Sequence, residues 1–275
     1  MSQDILISVI MAVYNGCDTL SEAIQSILNQ TYRNIELIIC DDASTDATWE
    51  LLQTWSRKDC RIRPLRNPKN EGAAIARNRC IEQARGNYIA IMDADDYSMP
   101  RRLELQLAFL EQNREISFVG SRGEFFFNHL GDLKKNYWFV SAPTKRDFLM
   151  TLPFVHASLM FRAEILWALG GYSDSKVVKR SEDYDLLLRA YAAGYCGVNL
   201  PDVLYAIRLD ETTYQRRKYR YRLNECVVKW RGFSALGLMP KGIPYALKPL
   251  LVGLVPVRLL NWLKEKYYGQ QEICS

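Results

Sequence analysis

The chain has 275 residues, 48% hydrophobic and 24% charged, proportions that suit a folded globular protein and argue against disorder. Seven scattered cysteines with no Cys-x-x-Cys, and His129 and His156 as the two histidines, argue against a disulfide framework, a zinc cage or a histidine-rich transition-metal site, and favour a reducing cytosol. The net charge of +5 is modest, with acids concentrated in the first two thirds and bases toward the end, and no nucleic-acid partner is expected.

Met1-Ser2-Gln3-Asp4 offers neither a basic flank nor a long apolar core, so no signal peptide is expected. A strand is predicted at residues 5–11, then a loop at Tyr14-Asn15-Gly16. Leu20, Ala23, Ile24, Ile27 and Leu28 fall on one helix face, with Thr19-x-x-Glu22 reading as a capping box. A second strand at 35–40 leads to the polar loop Asp41-Asp42-Ala43-Ser44-Thr45-Asp46 and a helix burying Leu51, Leu52 and Trp55. A third strand at 62–65 precedes a small-residue helix over 72–84, stopped by Gly86, and a strand at 88–92. Pro100 suits the first turn of a helix bearing Leu103, Leu107 and Leu110, and residues 116–119 return to the sheet. This alternation predicts a Rossmann-like α/β fold, mostly parallel, with helices on both faces.

The pattern changes after about residue 120. Residues 124–127, 137–140 and 157–162 read as β segments without regular helices between them, which predicts a mixed sheet. A helix over 182–193 ending at Gly194 and a last strand at 203–209 follow. Residues 214–231 are basic and aromatic, with Arg216-Arg217-Lys218 at their densest, and 243–263 are strongly apolar. The uncharged run between Lys248 and Arg258 is too short to span a bilayer and carries prolines. It is expected either to lie on a membrane surface, with Trp262, Tyr267 and Tyr268 at headgroup depth, or to pack on the preceding domain as a helical pair.

Met92-Asp93-Ala94-Asp95-Asp96-Tyr97 crowds three carboxylates at the end of the fourth strand. Such acids raise one another's pKa unless a cation offsets them, and Mg²⁺ or Mn²⁺ favours oxygen ligands of this kind. Other polar clusters follow strands at Ala12-Val13-Tyr14-Asn15, at 41–46, and at 70–78. In a parallel sheet these ends share one rim, where a nucleotide fits. No Gly-x-Gly-x-x-Gly or Walker loop is present, so a diphosphate there is expected on a metal held by acids. Glu182-Asp183-Tyr184-Asp185 suits a helix N-terminus, where acids meet the favourable end of the dipole.

With these motifs, residues 5–211 resemble family 2 of the inverting, nucleotide-sugar-dependent glycosyltransferases, of glycosyltransferase type A fold. The resemblance implies nucleotide contacts from Ala12, Tyr14, Asp41, Arg77 and Asp93, a Mn²⁺ or Mg²⁺ held by Asp95 with Asp93, and Asp183 as the general base. It places Asn70, Gly72, Ala76 and Asn78 beside the nucleotide, and Asp96 as a frequent extra acid. His156, Glu182 and Arg208 are implied acceptor or phosphate contacts, against a buried, satisfied histidine and an ordinary strand-end arginine. The implied organisation is a catalytic domain over 1–211, with a nucleotide half at 1–120 and an acceptor half at 121–211, and a helical extension over 212–275. The expected reaction is sugar transfer from a UDP-sugar to a glycan or lipid-linked acceptor in surface polysaccharide synthesis, at the inner face of the cytoplasmic membrane. The alternatives are an inactive nucleotide-sugar-binding or membrane scaffold, and a sugar nucleotidyltransferase. The latter needs a glycine-rich loop and a lysine where Asn15-Gly16-Cys17 stands. Donor sugar, linkage and oligomeric state are not legible.

Overall fold

The computed structural model describes residues 5–127, 130, 139–209 and 219–254. Its strands are β1 (Ile7–Val13), β2 (Ile35–Asp41), β3 (Ile62–Arg66), β4 (Tyr88–Asp93), β5 (Tyr97–Ser98), β6 (Phe118–Phe126), β7 (Met160–Arg162) and β8 (Gly197–Arg208). Among the described residues they form one eight-stranded sheet in the order β3-β2-β1-β4-β7-β6-β8-β5. The first four are mutually parallel; β7 runs antiparallel to both β4 and β6, β8 runs parallel to β6, and β5 is antiparallel to β8. This is the expected mixed sheet.

The helices are α1 (Leu20–Leu28), α2 (Thr48–Lys58), α3 (Ala73–Gln83), α4 (Arg102–Gln112), α5 (Ala163–Ala168), α6 (Glu182–Ala192), α7 (Tyr219–Ala235) and α8 (Ile243–Leu254). Successive strand side chains point to opposite faces, and the two faces make two cores. Val9, Met11, Leu37, Ile39, Ala90 and Met92 meet α1, α2 and α4 through Ile24, Leu52 and Leu107. Ile10, Ile38, Ile89 and Ile91 meet α3 and α6 through Cys80, Leu186 and Leu187. Strands covered on both sides need near-continuous apolar runs, which Ile-Ser-Val-Ile-Met-Ala-Val supplies. Gly86 lies against β1 so closely that a Cβ would stand 2.6 Å from the Ser8 nitrogen.

Several elements differ from the sequence expectation. The segments at 116–119 and 124–127 belong largely to one strand, β6, whose register against β8 shifts around Arg122. Gly120 and Gly123 admit Asn199 and Val155 side chains where a Cβ would crowd. β8 starts earlier than expected and carries Pro201 at the same irregularity. The short helix α5 stands where none was expected, because Ala-Glu-Ile-Leu-Trp-Ala favours helix once β7 ends. Of the segment at 137–140, Phe139 and Val140 are not in a strand, and Tyr137 and Trp138 lie outside the described residues, as do His129, Arg216-Arg217-Lys218 and the tail beyond 254.

α7 and α8 pack on the sheet domain: Val228, Phe233 and Ala246 join the core that holds Leu186 and Leu188. Gly232 lets α7 approach, since a Cβ there would lie 2.3 Å from Leu188 Cδ1. Among the described residues no helix is long and apolar enough to cross a membrane.

Candidate active site

Register sets the rim. Ala12 lies opposite Cys40 on one side and Asp93 on the other, and Val13 opposite Asp41, so the ends of β2, β1 and β4 are level. The loops after β1 and β2 are joined to one another. Asn15, at φ 51, donates its N–H to Ser44 Oγ and accepts from the Thr45 N–H, both at 2.9 Å. The Gly16 N–H donates to Thr48 Oγ1 at 2.9 Å. Asp46 accepts from the Thr48 N–H at the start of α2; against the desolvation there, bonds from Thr48 and Cys17 hold its carboxyl down at about 2. Tyr14 stands exposed beside this seam, about half its surface open (49%).

Asp41 is fully buried. Its Oδ1 accepts from the Ser44 N–H at 3.0 Å, while Arg66 Nε lies 3.1 Å from Oδ2 but too poorly aligned to donate, leaving Oδ2 without a hydrogen bond. The neighbouring Asp42 is committed to structure. It accepts from Asn67 Nδ2 at 2.7 Å and from the Glu71 and Gly72 N–H groups at 2.9 and 2.7 Å, fixing the approach to α3. Asn67, which sequence reasoning passed over, is the buried partner, and Asn70 is exposed. Asn78 is likewise structural: its amide exchanges two hydrogen bonds with the backbone of Tyr172.

The acidic turn is held from four sides. Arg77 donates to Asp93 Oδ1 at 2.6 Å. Burial alone would raise the Asp93 carboxyl, but the Arg77 charge, with His156 beyond it, holds it below the usual range. The Asp93 N–H donates to the Tyr205 hydroxyl at 3.1 Å, and the buried Asp96 lies close by. Burial, then the charges of Asp93 and Asp95, raise Asp96 well above the usual range. Asp95 has an exposed carboxylate that makes no ion pair among the described residues. Close protein walls and then the Asp93 charge raise it too. Beneath the turn sits Arg102, fully buried without a carboxylate partner, bonded to the Ile91 carbonyl at 2.7 Å and stacked on Tyr205. Burial lowers its pKa to about 10, and the acids above it work the other way. Arg102 and Gln106 were legible only as polar residues four apart on an otherwise apolar helix face.

Two expectations change here. Thr19 and Glu22 form no capping box, since Thr19 has helical backbone angles and its hydroxyl donates to the Ala94 carbonyl at 3.0 Å. Glu22 pairs instead with Arg208. Arg208 donates to the Asp95 carbonyl through Nε and to Asp96 Oδ1 through its N–H, both at 2.8 Å, and its guanidinium stacks on Phe126. Its fork is thus spent on the Asp95 and Phe127 carbonyls and on Glu22, closer to the strand-end reading than to a free phosphate ligand.

Across the cleft, Asp183 sits in the first turn of α6 and accepts from the Tyr184 N–H at 2.7 Å. Its charge reaches Arg77, His156 and Tyr172, the same groups that feel Asp93, so the two acids face one small polar cluster. His156 Nε2 and the Tyr172 hydroxyl are 2.8 Å apart. Burial, then the Arg77 charge, push the imidazole down to about 4 against the pull of Asp183 and Asp93. Tyr172 is placed by Asn78 and by Gly171, at φ 68, whose carbonyl accepts from Arg189 at 2.7 Å. Arg189 is itself paired with Asp185 at 2.8 Å, which makes Asp185 structural. Glu182 is half-buried beside Asp183 and contributes to the field at Tyr172.

Among the described residues no group of three or more His, Cys, Asp or Glu is arranged to hold a metal alone. The donor set still fits Mg²⁺ or Mn²⁺, which binds through one or two carboxylates plus substrate phosphates. Asp95 and the Asp93 oxygen not taken by Arg77 supply that pair.

A family model described as Glycosyl transferase family 2 matches residues 8–170, which run from β1 past the acidic turn and stop short of Asp183. EpsE of Bacillus subtilis (strain 168), itself provisionally assigned as a glycosyltransferase, is 37% identical over 97% of this chain and 96% of its own. WfaP of Escherichia coli, a UDP-Glc:alpha-D-GlcNAc-diphosphoundecaprenol beta-1,3-glucosyltransferase, is 45% identical over 84% of this chain and 88% of its own. Among solved structures, S. aureus TarS in complex with UDP-GlcNAc superimposes with a TM-score of 0.71 at 18% identity, covering 88% of this chain and 72% of that one. The mannosyltransferase PcManGT from Pyrobaculum calidifontis, in complex with GDP-Man and Mn²⁺, gives 0.63 at 20% identity over 95% and 79%. The mixed sheet, the level strand ends and these likenesses agree: the chain is a glycosyltransferase of family 2 with the type A fold.

Proposed function

We propose that the enzyme transfers a sugar from a UDP-sugar, with inversion, to a lipid-linked saccharide in surface polysaccharide synthesis. The observation that carries this reading is the chain of contacts from Asp93 through Arg77 and Tyr172 to His156, at 2.6 Å, 5.5 Å to the ring centre and 2.8 Å, a cluster that also feels the charge of Asp183. Inversion needs a carboxylate opposite the leaving group. Asp183 takes the proton of the acceptor hydroxyl as its oxygen bonds to the anomeric carbon, and the electron pair of the broken C–O bond leaves with UDP. A divalent cation on Asp95 and Asp93, when bound, supplies positive charge at the diphosphate. The buried Asp41 Oδ2, a carboxylate oxygen without a donor, supports a role as acceptor for a base N–H, with Tyr14 as an exposed ring beside it. His156, neutral at pH 7, and Tyr172 are the hydrogen-bonding groups nearest the acceptor side.

The relative WfaP, by its name, uses UDP-Glc and a diphosphoundecaprenol-linked sugar, which supports the donor and acceptor classes. Peripheral contact with the inner face of the cytoplasmic membrane is supported by exposed Tyr219, Leu223, Val227 and Trp230, a stripe along α7, and by exposed Leu251 on α8. Because Ala246 is buried in the core, α8 is tested by point charges, not by removal. Leu251→Glu with Trp230→Glu is expected to abolish recovery with phosphatidylglycerol vesicles, and unchanged recovery overturns the membrane reading. For the reaction, UDP-, GDP- and dTDP-sugars are compared for Mn²⁺-dependent donor hydrolysis. Preference for UDP-sugars is the expected result, and hydrolysis of none of them contradicts it.

A further inference from the structure

Beside Asp183, on the side of α7 and α8, lies a cavity of about 320 Å³, at the small end of ligand pockets. Its ionisable lining is Arg180, Arg222, Lys229 and Lys248 against Asp183 and Glu225, an excess of two positive charges. Two of the cations are built in. Lys229 is nearly buried, paired with Glu225 at 3.0 Å, its ammonium 5.5 Å from the Tyr184 ring centre. Arg222 shares Glu225 at 3.6 Å. Arg180 and Lys248 have no ion-pair partner among the described residues, and Arg180 is held at φ 72, a strained angle for a non-glycine residue. Two solvent-exposed cations without an ion-pair partner thus line a cavity that also contains the candidate base.

We infer that this cavity seats the diphosphate of a prenyl-diphosphate-linked acceptor, presenting the attached sugar to Asp183. The inference rests on the acceptor reading above and adds the place where that acceptor is held. A diphosphate diester carries two negative charges, matching the excess. The donor diphosphate belongs at the acidic turn, whose residues do not line this cavity, so the two anions do not compete. Pro249 and Val252 of α8 line the same cavity, while Leu247 and Leu251 of that helix are exposed, giving the prenyl chain an apolar exit. A larger cavity of about 450 Å³ around Phe154 and Asn199 has Arg122 and Lys248 in its lining, an equal excess of positive charge, but includes none of the site acids, so an anion held there is not beside the candidate base.

The test uses the full chain with saturating UDP and Mn²⁺, so that the donor site is filled, and farnesyl diphosphate and farnesol as probes in calorimetry. Farnesyl diphosphate is expected to bind at least about tenfold more tightly than farnesol. The Arg180→Ala/Lys248→Ala protein is expected to lose about tenfold or more of that affinity while keeping its UDP affinity, which also reports that it is folded. Equal binding of the two probes, or an undiminished affinity in the double variant, overturns the inference. So does a double variant that loses only binding to phosphatidylglycerol vesicles, because the cations then serve the membrane. Failure of UDP to bind the wild type counts against the donor reading instead, and the probe comparison still decides the cavity.

Discussion

Arg77 meets Asp93 at 2.6 Å where β4 leaves the sheet, and the same guanidinium lies over the Tyr172 ring at 5.5 Å. One side chain thus joins the acidic turn after β4 to Tyr172, whose hydroxyl meets His156. Removing a partner from a fully buried ion pair costs about 3–5 kcal/mol. Asp93 is about a third exposed (34%), so Arg77→Met is expected to cost nearer about 2 kcal/mol in urea unfolding. Donor turnover is expected to fall about 100-fold. Arg77→Lys keeps the charge without the fork, so stability returns in part and turnover does not.

Asp183→Asn keeps the shape of the side chain and removes the proposed base. Turnover measured by UDP release is expected to fall about 10²- to 10⁴-fold, with UDP binding retained. Undiminished turnover removes Asp183 from that role.

Glu22 and Arg208 separate positioning from direct phosphate binding. Arg208 holds the Asp95 carbonyl and the Asp96 carboxylate, while Glu22 pairs with Arg208 from α1. If Arg208 acts by holding the turn, Glu22→Gln weakens UDP binding in Mn²⁺ by about threefold and Arg208→Ala by about tenfold or more. If Arg208 instead touches the diphosphate alone, Glu22→Gln is silent in the same titration.

Glu36 tests the frame behind the site. Its nearly buried carboxylate accepts from the Ser8 hydroxyl at 2.7 Å, the Arg85 N–H at 2.8 Å and Arg63 at 2.6 Å. Burial alone would raise its pKa, but these bonds, Ser8 first, leave it lowered. The folded state then binds fewer protons than the unfolded one as pH falls. The stabilisation is fully present above the unfolded value of about 4.3 and is lost as pH drops through the lower folded value. Glu36→Gln is expected to cost about 1–2 kcal/mol at pH 7 and to flatten the acid limb of the urea midpoint curve.

Much of this was legible because it is local. Leu20, Ala23, Ile24 and Ile27 are buried as their spacing requires, and β1, β2 and β4 carry the apolar runs of covered strands. The acids at 93–96 and 182–185 stood out by crowding at element ends. What was missed is long-range or disguised. Glu22 and Arg208 are 186 residues apart, and the local pattern at Thr19 and Glu22 suggested a cap instead. Tyr205 and Arg102 matter because the sheet brings them under the acidic turn. Gly120, Gly123 and Pro201 punctuate β6 and β8 as if they ended, because a bulge uses the same residues as a turn.

The central claim is that Asp93 and Asp95 gather a divalent cation around a donor diphosphate. It is met most directly by titrating UDP into the wild-type and Asp95→Asn proteins, each with Mn²⁺ and with chelator. Mn²⁺ is expected to tighten UDP binding by about tenfold or more in the wild type and to leave the variant unchanged. Equal UDP affinity with and without Mn²⁺ in the wild type, or an equal Mn²⁺ effect in both proteins, contradicts it.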